Sequence, residues 1–340
     1  MKRFLFLSIF IVIVMNSMYA QNQDFLFMVE QAVKAPSGHN TQPWLFKLNE
    51  ASIEIHPNLD KSLPVVDFDN RELFIALGCA TENLCIAASC KGYKPTVSYS
   101  KNGIITVGLT KDCFIKADPL FRQISIRQTN RNVYNGSKIP EDTIAVLNSI
   151  RLEPDIHMYF YANGTADFDS IADYVFRGNT IQMRDKAFKQ ELRKWMRYNR
   201  KHQDRTNDGL SYAVFGAPNL PMFIVRPIMS KLINEKSQNK SDKKKIRSSS
   251  HLVLFTTQGN TVREWIDLGR SLERLLLKST ESGIRHAYLN QPNEIRGLSL
   301  QMAEMLNISR EYPTILLRLG YAEKLPYSKR KKIEDVIISD

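Results

Sequence analysis

Ten consecutive residues, Ala35-Pro36-Ser37-Gly38-His39-Asn40-Thr41-Gln42-Pro43-Trp44, crowd small, polar and turn-forming side chains into one short stretch. The hydroxyls and amides of Ser37, Asn40, Thr41 and Gln42 both donate and accept, while Pro36, Gly38 and Pro43 hold the backbone in irregular shapes that expose its N–H groups. Such a loop suits a neutral, heteroatom-rich planar ring; an ordinary polar turn is the competing reading on residue chemistry alone. Other routes to chemistry lack their residues. No Ser nucleophile elbow, paired-carboxylate spacing, GxxxxGK[ST] or GxGxxG occurs. His56 and His251 flank apparent strands with no Asp or Cys at metal-like spacing, His39 reads as a filler of the loop, and Trp44 as core. The four cysteines, Cys79, Cys85, Cys90 and Cys113, form no CxxC and read as buried apolar fillers.

The elements around the loop follow from periodicity. Phe25, Met28, Val29, Ala32 and Val33 recur at helical spacing over Asp24 to Ala35, and Pro36-Ser37-Gly38 stops that helix. Trp44 to Leu48 and Ser52 to His56 read as short strands. An acidic loop, Asp67-Phe68-Asp69, leads into a long apolar helix from Arg71 to Lys91, with Gly92 placed to cap it. Lys94 to Tyr99 and Gly103 to Leu109 form a hairpin. The fold class is α+β.

A repeat divides the chain. Leu77-Gly78-xxx-Glu82-x-Leu84 followed by Gly92 matches Leu268-Gly269-xxx-Glu273-x-Leu275 followed by Gly283 at an offset of 191. The boundaries expected are a first unit over 21–120 and a second over 121–340. The second unit takes in a helix at Glu141 to Ile150, a strand at Ile156 to Tyr161, a helix at Thr165 to Phe176, and strands at Leu252 to Thr256, His286 to Leu289 and Thr314 to Leu319. It also holds an insertion at about 184–250, whose irregular, Pro-containing stretch near Phe215 to Pro227 is a candidate lid.

The 340 residues are 43% hydrophobic and 24% charged, enough for a sizeable core, and carry a net charge of +12. Arg184 to Arg205 contributes +6 as a helix-like segment, and Lys231 to Arg247 contributes +5 with no periodicity, as a solvated loop. With no aromatic interleaving beyond Trp195 and Tyr198 these runs predict no specific nucleic-acid partner. Lys2 and Arg3, an apolar run from Phe4 to Met15 and small residues up to Ala20 have the three-part order of a secretory signal over 1–20. Export to a periplasmic or extracellular space is expected, with no stable membrane insertion after cleavage; a signal anchor is the alternative.

The loop at 35–44 resembles the AxSxxNxQPWxF signature of the flavin-dependent nitroreductase family. Arg127-Gln128-Thr129-Asn130-Arg131-Asn132-Val133-Tyr134, with Ile139-Pro140-Glu141 after it, resembles that family's RxSxRxF…IPxE start. The repeated Gly-x(13)-Gly helix resembles its central helix, and Pro313 to Arg330 its C-terminal arm. The resemblance covers nearly all of 24–338, and is closest to the Acg-type branch, in which two nitroreductase-like units are fused in one chain. It implies an intramolecular pseudo-dimer sufficient as a monomer or weak dimer, with a C-terminal arm at 313–338. It further implies one FMN per chain at the interface of the units, reduced by NAD(P)H and passing hydride to a nitroaromatic or quinone-like small molecule. Arg127 and Thr129 would hold the ribityl-phosphate, and Arg131 would face the pyrimidine edge and stabilise the charge of reduced flavin. Pro36, Ser37, Gly38 and Asn40 would pack on and hydrogen-bond the ring system, Gln42 would be a further contact, and Lys329 and Arg330 would be phosphate ligands. A flavin covered by the insertion through Trp195 or Phe215, with no turnover, is the alternative.

Overall fold

The structure, a computed structural model, describes residues 22–338, so the expected signal segment lies outside the described residues. Helix α1 (22–32) buries Phe25, Met28, Val29 and Ala32, the stripe its periodicity marks. Strands β1 (Trp44–Leu48) and β2 (Ser52–Pro57) precede helix α2 (Arg71–Cys90), and β3 (Tyr93–Tyr99) and β4 (Ile105–Lys111) follow it. These strands form an antiparallel sheet in the order β1-β2-β4-β3.

Helices α3 (Phe121–Ile124) and α4 (Glu141–Asn148) lead to β5 (Ile156–Ala162). After it come α5 (Ala166–Arg184), α6 (Lys186–Trp195), β6 (Met196–Arg197), α7 (Arg200–Thr206), β7 (Leu210–Ser211), α8 (Met222–Leu232) and α9 (Glu235–Arg247). The chain continues through β8 (His251–Thr257), α10 (Val262–Glu281), β9 (Arg285–Tyr288), α11 (Arg296–Met305) and β10 (Tyr312–Gly320). The second sheet has the order β5-β8-β10-β9, again antiparallel throughout, so each strand has a counterpart at the same place in the first sheet. Residues 163–250 stand between β5 and β8, where 49–51 suffice in the first sheet.

The two central helices pack face to face through the repeated glycines. A Cβ on Gly78 would lie 2.1 Å from the carbonyl oxygen of Ile266 and 2.9 Å from the Cα of Gly269; one on Gly269 would lie 2.1 Å from that of Ile75 and 2.9 Å from the Cα of Gly78. Ile75 and Ile266 are themselves 191 apart, so the contact is two-fold symmetric in sequence and in distance. Gly92 and Gly283, the last members of the repeat, sit at φ +68 and +72, the left-handed conformation that ends a helix without a Cβ penalty. The acidic loop earns its place by capping: the Asp67 carboxylate accepts from the backbone N–H of Glu72 and Leu73, both at 2.9 Å. The C-terminal arm crosses back to the first sheet, where Phe46 N–H donates to the Val336 carbonyl at 2.7 Å.

Several expectations are corrected. Lys231 to Arg247 is no loop: α9 starts at Asn234, whose side chain caps the Ser237 N–H, and buries Asp242 and Ile246 against α5. One apolar residue and one satisfied carboxylate anchor it, too sparse a pattern to read as a period. Arg184 to Arg205 is broken at Asp185, which caps α6, and again at β6. Phe215 to Pro227 is partly helical, with Pro227 inside α8. Cys79 and Cys85 are buried, but Cys90 is only half-buried and Cys113 is exposed.

Candidate functional site

A cavity of about 880 Å³ lies where the two units and the insertion meet. Its apolar floor comes from the central helices, Ile75, Ala76 and Cys79 of α2 with Leu272 of α10. The Cys79 thiol is pushed well above its ordinary pKa by burial and gives its Sγ–H to the Gly269 carbonyl at 3.2 Å, so it is a filler and no nucleophile.

The 35–44 loop forms one wall through Pro36, Ser37, Gly38, His39 and Asn40. Three of its residues, His39, Asn40 and Gln42, hold left-handed φ of 47, 57 and 54, a conformation costly for side chains with a Cβ and kept only where surrounding bonds impose it. Those bonds are present. Ser37 Oγ accepts from the Gln42 N–H at 3.0 Å. Asn40 Nδ2 donates to the carbonyls of Gly209 and Lys329, both at 3.2 Å, Asn40 Oδ1 accepts from Arg330 at 2.5 Å, and the Gly209 N–H returns a bond to the Asn40 carbonyl at 3.1 Å. Asn40 therefore lines the cavity with its amide already committed, and its role is to tie loop, insertion and arm together.

Cations gather at one end. Arg127 donates to the Lys34 carbonyl at 2.6 Å, and Arg330 donates to the same carbonyl at 3.2 Å and to that of Ala35 at 3.3 Å. Two guanidinium groups so placed repel. Burial and then the Arg127 charge pull Arg330 down to about 9. Their counter-charge, Glu273, lies 3.3 Å from Arg127 Nε, but burial raises its carboxyl to about 7, against the opposing pull of the Arg127 charge. His286, buried beside them, has both ring nitrogens without partners and is held neutral by burial and Arg127. The arrangement is short of negative charge and suits an anion with several oxygens, a phosphate above all. Lys34, Ser125, Thr129 and Ser328 line the same cavity.

Farther along stands Arg131, its guanidinium 5.7 Å from the Phe215 ring and drawn down to about 10 by burial. His39 is pushed to about 4, first by burial and then by Arg131, so it is neutral with an unpartnered Nδ1. The insertion closes the remaining side with Met183, Phe188, Leu192, Met196, Leu210, Val214, Phe215, Met229 and Ile233.

Of the residues expected at the site, Pro36, Ser37, Gly38, Asn40, Arg127, Thr129, Arg131 and Arg330 are brought together on this cavity. Gln42 and Lys329 are not. Gln42 is fully buried behind the loop, donating to the Asn207 carbonyl and accepting from the Lys331 N–H, both at 2.8 Å. The Lys329 ammonium points to Asp204 at 3.5 Å. Trp195 also misses the cavity, packing with Leu63, Val66 and Phe188 while Arg197 stacks on its ring. Sequence reasoning overlooked Lys34, Glu72 and Glu294 as cavity groups and took His39 for a filler of the loop. His39 was visible inside the loop, whereas no spacing links Glu294 to Glu72.

No protein-family model matches the chain. A Mycobacterium tuberculosis protein provisionally named an NAD(P)H nitroreductase is 23% identical over 337 residues, covering 95% of this chain and 93% of the relative. Among solved structures, the FMN-dependent nitroreductase NfnB of Mycobacterium smegmatis, in complex with NADPH, aligns with 14% identity over 64% of this chain and 96% of its own, at a TM-score of 0.41. A nitroreductase of Bacteroides fragilis with bound FMN aligns at 13% identity over 66% of this chain and 100% of its own, at 0.39. The end-to-end likeness to the mycobacterial relative joins the paired helices, the matching sheets and the loop that walls the cavity, and over 95% of its length the chain is similar to a protein that carries a nitroreductase name.

Proposed function

We propose that the chain is an FMN-dependent NAD(P)H oxidoreductase that reduces small electron-poor acceptors such as nitroaromatics or quinones. The observation that carries this reading is the Arg127–Arg330 pair, poor in anionic partners, at one end of an 880 Å³ cavity along which Arg131 also lies. Bound FMN would accept hydride from a reduced nicotinamide and pass it to the second substrate. Arg127 and Arg330 bind its phosphate, with Lys34, Ser125, Thr129 and Ser328 supplying further donors. Arg131 places a fixed positive charge where reduction adds electron density. Pro36, Ser37 and Gly38 border the ring, and Asn40 holds them there. None of these groups transfers a proton, which agrees with the neutral, unpartnered state of His39.

The aromatic and aliphatic side chains that the insertion lays over the cavity favour a second reading, a covered flavin without turnover. An absorption spectrum of the purified chain with FMN, before and after anaerobic NADPH, separates the two. Loss of the flavin's visible band within seconds supports the reductase; binding without bleaching supports the covered flavin. No bound flavin refutes both. Export by the 1–20 segment is part of the proposal, tested by fractionating cells for the processed chain.

A further inference from the structure

A second polar group of residues lines the cavity where α5 meets the segment after β9. α5 contributes Asn179 and Gln182, the segment after β9 contributes Asn290, Gln291 and Glu294, and the first turn of α2 contributes Glu72. The contact is tight: a Cβ on Gly178 would lie 2.9 Å from the backbone of Gln291. Three amides of this wall, those of Asn179, Gln182 and Asn290, donate to carboxylates of the protein itself. Asn179 Nδ2 gives its bond to Asp242 at 3.0 Å, Gln182 Nε2 to Glu294, and Asn290 Nδ2 to Glu72 at 2.5 Å. Acceptors are left over. Asn179 is 0% exposed, yet its Oδ1 meets no donor, and neither does Gln291 Oε1. Glu72 and Glu294 face one another across this wall, and enclosure raises both carboxyls, so the pair keeps protons to donate near neutral pH.

We propose that this wall is a binding subsite for a primary carboxamide, whose two N–H bonds satisfy Asn179 Oδ1 and Gln291 Oε1 and whose carbonyl accepts from a carboxyl O–H of Glu72 or Glu294. Buried acceptors without donors are costly, and a ligand that brings N–H groups removes that cost. A carboxylate of the same shape brings no donor, and carries a charge towards Glu72, Glu294 and Asp242. The subsite rests on the oxidoreductase reading only for its neighbour: the nicotinamide of the electron donor bears such a group, and so would an amide-bearing acceptor.

The proton sets a pH range. Glu72 faces Arg71 on its own helix, Asp67 before it, Asn290 and Glu294 after β9, and Tyr288 on β9, while Glu294 also faces Gln182 of α5. Enclosure dominates over the opposing Arg71 charge, holding the pair's protons to about 8 and 7.

Calorimetric titration of benzamide and benzoate into the chain, with and without FMN, tests the subsite. At pH 6 benzamide should bind at least about tenfold tighter than benzoate, and at pH 9 its affinity should fall about tenfold as the pair ionises. Asn179→Leu and Gln291→Leu should each weaken benzamide about tenfold and leave FMN uptake unchanged; Glu294→Gln should remove the pH dependence. If Asn179→Leu also weakens NADP⁺, the subsite serves the electron donor; if NADP⁺ is unaffected, it serves the acceptor. Equal binding of benzamide and benzoate overturns the proposal, as does wild-type benzamide affinity in both Leu variants. Should those variants fail to fold, the wild-type comparison decides alone. A chain that takes no FMN but shows this benzamide preference refutes the flavin reading and leaves the subsite standing.

Discussion

Arg330 joins the site from the end of the chain, and its guanidinium serves both the cation pair and the Asn40 clasp. If it binds phosphate, Arg330→Leu should weaken FMN about 10- to 100-fold, the worth of a charge-assisted hydrogen bond, while riboflavin, which lacks the phosphate, should bind as before. Fluorescence titration of both flavins checks this, and an equal loss for both would mean that the loop had collapsed instead. A second prediction concerns Glu72, Glu294 and Glu273, whose native carboxyls hold protons to about 8, 7 and 7. Between the unfolded value of about 4.5 and those values the native chain binds more protons than the unfolded one, so these groups lower stability as pH rises through the window. The melting temperature of wild type relative to Glu72→Gln should therefore fall by a few degrees between pH 5 and pH 8.5. The polar loop and the two arginines of 127–131 were legible because each cluster is local in sequence. The Asn40 clasp was not, because its partners lie 169 and 289–290 residues away.

At the scale of elements, the repeat carried most of the fold, since a glycine kept in the middle of a buried helix marks where another backbone must come close. Gly78→Ala or Gly269→Ala puts a methyl 2.1 Å from a backbone carbonyl on the partner helix, and neither backbone can yield without parting the helices. Each should destabilise the chain by about 3 kcal/mol or more in urea unfolding, far beyond the helix-propensity gain of Ala over Gly. The strand and central-helix positions were legible from period alone. The insertion was harder because its helices bury few residues each: α9 is held by Asp242 and Ile246, and a Pro stands inside α8. Its charge is also less free than composition suggests, since Lys245 lines the cavity and faces Asp242 at 3.6 Å.

For the whole molecule, the two-fold relation makes two glutamates equivalent, Glu82 on α2 and Glu273 on α10, yet their surroundings have diverged. Glu273 lies 3.3 Å from Arg127 and faces the arginines of the cavity. Both oxygens of Glu82 are taken, by Arg274 at 2.6 and 2.8 Å and by Arg270 at 3.2 Å. Those arginines also engage Glu153 at 2.6 and 3.3 Å, and Arg270 reaches the Tyr99 hydroxyl, which donates to Asp267. Cation and anion are matched there by side chains of the protein itself, so a phosphate would have to break a buried network that is strongly destabilising to disrupt. The chain should accordingly bind one FMN, not two, as read from flavin absorbance against protein concentration and from the mass of the native complex. Arg274→Met should lower stability by breaking the network without changing that ratio. A ratio of two in the wild type would mean that the Glu82 network opens to ligand and that the two halves have remained alike in function as well as in fold.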